Sequence, residues 1–235
     1  MIKGIAVAKK KPGMGNEEFH RYWRQTHGPL ALQMSRMRRY VQSHRTDDIF
    51  PGFENCIYDG LAEIWFDDLA TFKDLPNDPE YINGAQADEP NFIDMEAIKF
   101  IATTEKVFIE GPKIEQDTQC KKAIFLLTRK EGMSVKEFQD YWVNGHAPQI
   151  PTDAGIVRYT QSHTVPETYD LGTHNNGEPA FDGVAELSFE NYAAFETYWS
   201  SDRIQSIFAA DAPKFLNAEK CTAFIAEDYR VRWPD

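Results

Sequence analysis

The stretch FHRYWRQTHGP, Phe19 to Pro29, returns as FQDYWVNGHAP, Phe138 to Pro148, with Phe, Tyr, Trp, His and Pro in register 119 residues later. The correspondence continues through Arg39/Arg158, Tyr40/Tyr159, Gln42/Gln161, Ser43/Ser162 and His44/His163. The second copy then gains four residues, and the match resumes as Asp59/Asp182, Gly60/Gly183, Glu63/Glu186, Asp88/Asp211, Pro90/Pro213 and Phe92/Phe215. A period this long is no solenoid unit. The chain is a duplicated domain, and whatever one copy folds into must be built twice. A polar linker carrying Gly-Pro, IEGPKIEQDTQC at 109–120, separates the copies. We place the first repeat at 1–110 and the second at 121–235.

Within a copy the pattern predicts β-α-β-β-α-β. IKGIAVAK and KAIFLLTR read as opening strands. A helix follows, with Phe19, Tyr22 and Trp23, or Phe138, Tyr141 and Trp142, on one face. Ser134 and Glu137 fit a capping box. Pro29 and Pro148 bias the preceding residue away from helix, so the helices are expected to end near His27 and His146. RRYVQSH and VRYTQSH, then YDGLAEIWF and FDGVAELSF, are the next two strands. Weaker helices begin near Asp68 and Glu190, with further helical stretches to about Phe92 and Phe215. AIKFIATTEKVF and KCTAFIAEDYRV close each copy. This is a ferredoxin-like unit, α+β, with helices on one face of an antiparallel sheet.

Strand alternation separates Tyr40, Gln42 and His44 from Val41 and Ser43, and Asp59, Leu61 and Glu63 from Gly60, Ala62 and Ile64. The small apolar set suits the face beneath the helices. The polar set is then expected to line something else. Two sheets in one chain can pack face to face and close a barrel around it. Buried polar groups need partners or a ligand.

F-x-x-Y-W-x-x-x-H-x-P, then Y-x-Q-x-H, then D-G-x-A-E, each present twice, resemble the EthD family of dimeric α/β-barrel proteins. The resemblance covers nearly the whole chain. It implies that both halves of a barrel usually made by two chains lie in this one, as a monomeric pseudo-dimer or a homodimer of such chains. The family is chemically heterogeneous. It includes a cofactor-free lactone isomerase and dehydratase-like or cyclase-like proteins of polyketide and aromatic pathways. In the isomerase-like members the His of H-x-P and the Tyr of the next strand are the catalytic pair, which implies His27 with Tyr40 and, by the repeat, His146 with Tyr159.

Each candidate has a plainer reading. His27 either caps a helix C-terminus, where a cation is favoured, or serves as a neutral general base; imidazole titrates near neutrality. Tyr40 is either a core aromatic with a satisfied hydroxyl or a donor to an enolate oxygen. Gln42, His44, Gln161 and His163 form either a polar ladder or a substrate-positioning set. Trp23, Trp142, Glu63 and Glu186 complete the candidate binding residues. Asp59 and Glu63, with Asp182 and Glu186, either orient histidines or hold structural pairs, and the Asp residues read more as structural partners. The loops between strands two and three differ in length between copies and are expected to cover the barrel ends. Tandem copies diverge, so either both pockets work or one only supports the other; the His and Tyr retained in both argue mildly against full loss.

The remaining features exclude whole classes. A net charge of −12 argues against nucleic acid and anionic membranes. No stretch approaches the roughly 20 apolar residues of a membrane helix. Cys56, Cys120 and Cys221 are scattered without CxxC, which fits reduced thiols in a cytoplasmic protein. His20, His27, His44, His146, His163 and His174 form no HxH or HExxH. No GxGxxG, P-loop, GxSxG or haem pattern occurs, so the expectation is no metal and no cofactor. The leading expectation is a cofactor-independent isomerase or dehydratase-like lyase acting on a small enolisable lactone, aromatic catabolite or polyketide-like ring. The alternatives are a non-catalytic small-molecule binding or accessory protein and a cofactor-free monooxygenase.

Overall fold

Eight antiparallel strands close into one barrel: β1 Ile2–Ala8, β2 Arg39–Arg45, β3 Gly60–Phe66, β4 Lys99–Ile109, β5 Asp117–Leu127, β6 Ile156–Thr164, β7 Gly183–Phe189 and β8 Thr222–Arg232. The structure is a computed structural model and describes residues 1–111, 117–171 and 178–233. Part of the linker, His174 and the middle of the longer second-copy loop lie outside these residues. Around the barrel the order is β1-β3-β2-β8-β5-β7-β6-β4. Each copy contributes four neighbouring strands, and the copies join where β2 pairs with β8 and β4 pairs with β6. Closure leaves neither sheet an unpaired edge.

Cross-strand register fixes which face each residue occupies, because directly paired residues point the same way. Tyr40 pairs with Ile64, Gln42 with Ala62 and His44 with Gly60; Val41 pairs with Glu63 and Ser43 with Leu61. The expected grouping is therefore corrected. Tyr40, Gln42 and His44 share the helix-covered face with the small set, and Glu63 belongs to the barrel interior. The small residues make room for large ones: a Cβ on Gly60 would lie 2.5 Å from the Trp23 ring, and one on Gly183 2.5 Å from the Trp142 ring.

Three apolar clusters follow. Ile5, Val7, Leu61, Ile124, Leu126 and Phe224 fill part of the barrel. Phe19, Trp23, Tyr40 and Phe92 pack under the first copy's helices, and Phe138, Trp142, Tyr159 and Phe215 under the second's. Much of the rest of the interior is ionic. Lys3 Nζ lies 3.0 Å from both Glu105 and Glu186, and Lys122 Nζ lies 2.6 Å from Glu63 and 2.9 Å from Asp228. Lys3 also pairs with Glu63, and Ser43 Oγ donates to Asp228 at 2.8 Å. Lys3–Glu186 and Lys122–Glu63 each tie one copy to the other.

The helix of the H-x-P motif does not stop where expected. Asn16–Tyr22 is α-helical, Trp23–His27 is a π-turn, and Gly28–Ala31 continues as α-helix with Pro29 in its first turn. Pro29 donates no bond to the turn before it, yet the chain stays helical through His27 and Gly28, both in αR geometry. The second copy repeats this as Val135–Tyr141, the π-turn Trp142–His146 and the 3₁₀ turn Ala147–Gln149. Ser134 and Glu137 form the capping box.

The later helices diverge. The second copy has Tyr192–Trp199 and an unbroken Asp202–Phe215. In the first copy the matching stretch is broken into Pro79–Tyr81, a π-turn Ile82–Gln86 and Ala87–Phe92. Among the described residues, no helix is long and apolar enough to cross a membrane.

Candidate active site

The π-turn at Trp23–His27 ends by placing His27 against the helix Ala87–Phe92, where Nδ1 lies 3.1 Å from Asp88 Oδ2. Asp88 also accepts from Tyr22 Oη at 2.6 Å and Asn91 Nδ2 at 3.0 Å. Burial favours the neutral acid, but these donors outweigh it and hold the Asp88 carboxyl below its usual range. An ionised carboxylate only accepts, so His27 Nδ1 carries the proton and Nε2 is the basic nitrogen. Burial lowers the His27 pKa, and Asp88 only partly offsets it. The imidazole is therefore neutral at neutral pH.

Tyr40 is held from behind. Its hydroxyl accepts from Trp23 Nε1 at 2.9 Å and from Gln42 Nε2 at 3.0 Å. Both lone pairs are then taken, and the phenol's own proton remains to be donated. Gln42 Oε1 accepts from His44 Nε2 at 3.0 Å. His44 Nδ1 is then the acceptor, and His20 Nδ1 donates to it at 2.9 Å. Burial pushes the His44 pKa well down, so it stays neutral. Burial also pushes the Tyr40 phenol up, keeping it protonated.

A cavity of about 250 Å³ lies between the first copy's sheet and helices. Trp23, His27, Tyr40, Tyr81 and Glu89 line it, with Thr168 reaching in from the second copy. Much of the remaining wall is apolar, including Ala6, Ala62, Ile64, Phe72 and Ile98. Glu89 is buried, accepts from Tyr81 Oη at 3.0 Å, and has its carboxyl pushed up to about 7 by burial, with the Asp88 charge adding to the effect.

The second copy repeats the polar frame. His146 Nδ1 meets Asp211 Oδ2 at 2.7 Å, Gln161 Nε2 donates to Tyr159 Oη at 2.6 Å, and His163 Nε2 donates to Gln161 Oε1 at 3.0 Å. Hydrogen bonds from Tyr141, Gln149 and His146 overcome burial and pull Asp211 down to about 2, while burial lowers His146. Its cavity is only about 100 Å³. Phe125, Leu127 and Phe208 stand in its wall where the duplication puts Ala6, Ala8 and Ala85 in the first copy. Phe53, from the first copy's loop, also lines it. Beside it Phe50 packs edge-on against Phe125, Phe195 and Trp199. The loops cross to the opposite copy's helix face.

The candidates thus divide. His27, Tyr40 and Trp23 meet in one cavity, and His146, Tyr159 and Trp142 in the other. Gln42, His44, Gln161 and His163 stand behind the tyrosines and line neither cavity. Glu63 and Glu186 lie on the other side of the sheet, paired with lysines. Asp59 accepts from Lys10 Nζ at 2.8 Å, and Asp182 pairs with Arg129. Larger grooves, about 760 Å³ beside Lys130 and about 430 Å³ beside Arg45, include none of His27, Tyr40, His146 or Tyr159.

Among the described residues, Glu63, Glu105 and Glu186 are the one group of three close enough to share a metal ion. The Lys3 ammonium already lies among them and supplies the positive charge.

Sequence reading missed the partners. Asp88 and Asp211 were visible as a retained pair, yet only the fold brings them to the histidines. Glu89 had the opposite signal: its counterpart is Ala212.

A sequence model of the EthD domain matches residues 11–96 and again 130–219. The chain belongs to the EthD family. No curated protein matches the sequence. As a tandem EthD protein it is similar over 98% of its length to an anthrone oxidase-like protein, with 92% of that chain covered, 8% identity and a TM-score of 0.63. A candidate monooxygenase from Fusobacterium nucleatum subsp. nucleatum aligns over 98% of this chain and 92% of its own, at 10% identity and a TM-score of 0.57. A chlorite dismutase variant from Candidatus Nitrospira defluvii covers the same shares at 7% identity and 0.52. At such identities the likeness establishes the barrel alone.

Proposed function

We propose that this EthD protein is a cofactor-independent isomerase or dehydratase-like lyase whose working site is the first copy's cavity. One observation carries the reading: a buried, neutral imidazole tied through Nδ1 to Asp88 shares an apolar cavity with a phenol whose proton is free to donate. His27 Nε2 removes a proton α to a carbonyl. Tyr40 Oη donates to the enolate oxygen as charge develops there, where a water-poor wall strengthens the bond. The proton returns at a conjugated carbon in an isomerisation, or a β-hydroxyl leaves as water in an elimination. A cavity of about 250 Å³ suits a one-ring or fused two-ring compound. The second copy's smaller cavity supports a structural role for that half.

A cofactor-free monooxygenase is the second reading, since it begins with the same deprotonation. The resulting carbanion is oxidised by O₂, a methylene becoming a carbonyl with release of water. The apolar wall and the anthrone oxidase-like neighbour favour keeping it.

The test uses α-angelica lactone, a β,γ-unsaturated five-membered lactone, followed by ultraviolet absorbance of the conjugated isomer and by an oxygen electrode. Isomerisation without oxygen uptake, undiminished after exhaustive EDTA dialysis, is the expected result. Oxygen uptake with anthrone would move the assignment to the second reading. Tight binding of either compound with no turnover would make the protein a binding protein and end the catalytic account.

A further inference from the structure

A single imidazole is one acid–base group, and a 1,3-proton shift or a dehydration is served better by two. The first copy's cavity holds a second one. Glu89 sits one residue after the Asp88 that orients His27, on the helix Ala87–Phe92, and lines the same cavity. One carboxyl oxygen accepts from Tyr81 Oη at 3.0 Å. Among the described residues no lysine or arginine pairs with Glu89. Its other charged and titratable neighbours around the cavity are Asp88, His27, Tyr40 and Lys73. A buried carboxyl without a cation is costly as a structural element. The duplication shows that the fold does not require it. The second copy has Ala212 at the equivalent position and Ile204 in place of Tyr81, and there the helix is a regular Asp202–Phe215. In the first copy a π-turn, Ile82–Gln86, immediately precedes the segment carrying Glu89. Such turns in helices often accompany functional residues.

We infer that Glu89 is the general acid of the first copy's cavity, positioned by Tyr81, delivering the proton that completes the reaction His27 begins. This rests on the acid–base reading of the same site. On α-angelica lactone, His27 Nε2 takes the C3 proton and the dienolate forms with its oxygen against Tyr40 Oη. The Glu89 carboxyl O–H then breaks and a C–H bond forms at C5, giving the conjugated lactone and a Glu89 carboxylate. The imidazolium proton returns to Glu89 through solvent, so protons balance over the cycle. In a dehydration the same carboxyl protonates the departing hydroxyl, which leaves as water. Burial holds the Glu89 carboxyl at about 7, so a useful fraction is protonated at neutral pH.

The experiment measures two rates on α-angelica lactone in D₂O for the full chain: C3–H exchange by NMR, which reports His27, and isomerisation by absorbance. For Glu89→Gln the expected result is isomerisation down by roughly 10²–10⁴-fold with C3–H exchange retained. The wild-type rate should also fall as pH rises through about 7, because the acid is lost, and Glu89→Gln should lack that limb. Thermal melting verifies that the near-isosteric variant is folded. Isomerisation at the wild-type rate, or equal loss of both rates in a folded variant, overturns the role given to Glu89. A wild-type protein that neither exchanges nor isomerises the lactone overturns the acid–base reading itself, and this inference with it.

Discussion

His27→Ala is expected to lower turnover by about 10²–10⁴-fold, the usual contribution of a general base, while His146→Ala leaves it within about twofold of the parent. The two histidines have the same helix position, the same π-turn and the same acid partner. Only their cavities differ, about 250 Å³ against about 100 Å³. An imidazole contributes to catalysis only where a substrate can reach it. Steady-state kinetics of the two single variants, each verified by melting temperature, decide the matter. Melting is needed because removing either histidine strips a buried carboxylate of a hydrogen bond, which costs about 1–3 kcal/mol. Equal losses in the two variants would mean two working sites.

Lys3→Met is expected to destabilise the fold by about 3–5 kcal/mol, the cost of removing one partner from a buried ionic group. Lys3 is almost wholly buried and faces carboxylates from both copies. Desolvation alone would lower its pKa, but Glu186, Glu63 and Glu105 together raise it well above the ordinary lysine value. Two ammonium groups, Lys3 and Lys122, face Glu63, Glu105, Glu186 and Asp228, so carboxylates are in excess. The excess is relieved at Glu186, whose carboxyl burial and the Glu63 charge push up to about 7. The sign follows. A carboxyl whose pKa is raised in the folded state contributes stability at low pH and loses it as pH rises through about 7. Glu186→Gln should therefore be far milder than Lys3→Met, and milder still at pH 8 than at pH 5. Urea unfolding at both pH values measures this; a Lys3→Met variant within about 1 kcal/mol of the parent would show that the network does not hold the copies together.

The barrel was legible because the chain says everything twice. Once the Phe19 and Phe138 motifs align, strand and helix order follow, and the family resemblance supplies closure. What alternation does not supply is direction. It shows that Tyr40, Gln42 and His44 share a face, not which face. Nothing in β2 alone reveals that Tyr40 pairs with Ile64 and not with Glu63. Grouping by polarity therefore put the tyrosine with the glutamate, when the helix side needed the tyrosine for Trp23 and the interior needed the glutamate for Lys122. Glycine misled in the same way. Gly60 and Ala62 look like a generic packing face, but Gly60 is small because the Trp23 ring lies on it. Proline biases a helix toward ending, but here the chain stays helical across the π-turn and through Pro29. The differences between copies, Ala85 against Phe208 and Glu89 against Ala212, were present in the sequence all along. They gained meaning only when the fold put those positions around one cavity.

Ala85→Phe writes the second copy's residue into the first copy's cavity, and it is the most direct measurement of where the chemistry happens. Ala85 is buried in the cavity wall, and Phe208 is its counterpart. Filling the cavity costs about 1–3 kcal/mol of overpacking at most sites, so the melting temperature is recorded alongside kcat and KM for α-angelica lactone. The account requires a folded variant that has lost lactone turnover, with the converse Phe208→Ala still active. A folded Ala85→Phe protein with unchanged kcat and KM would place the active site elsewhere in the molecule.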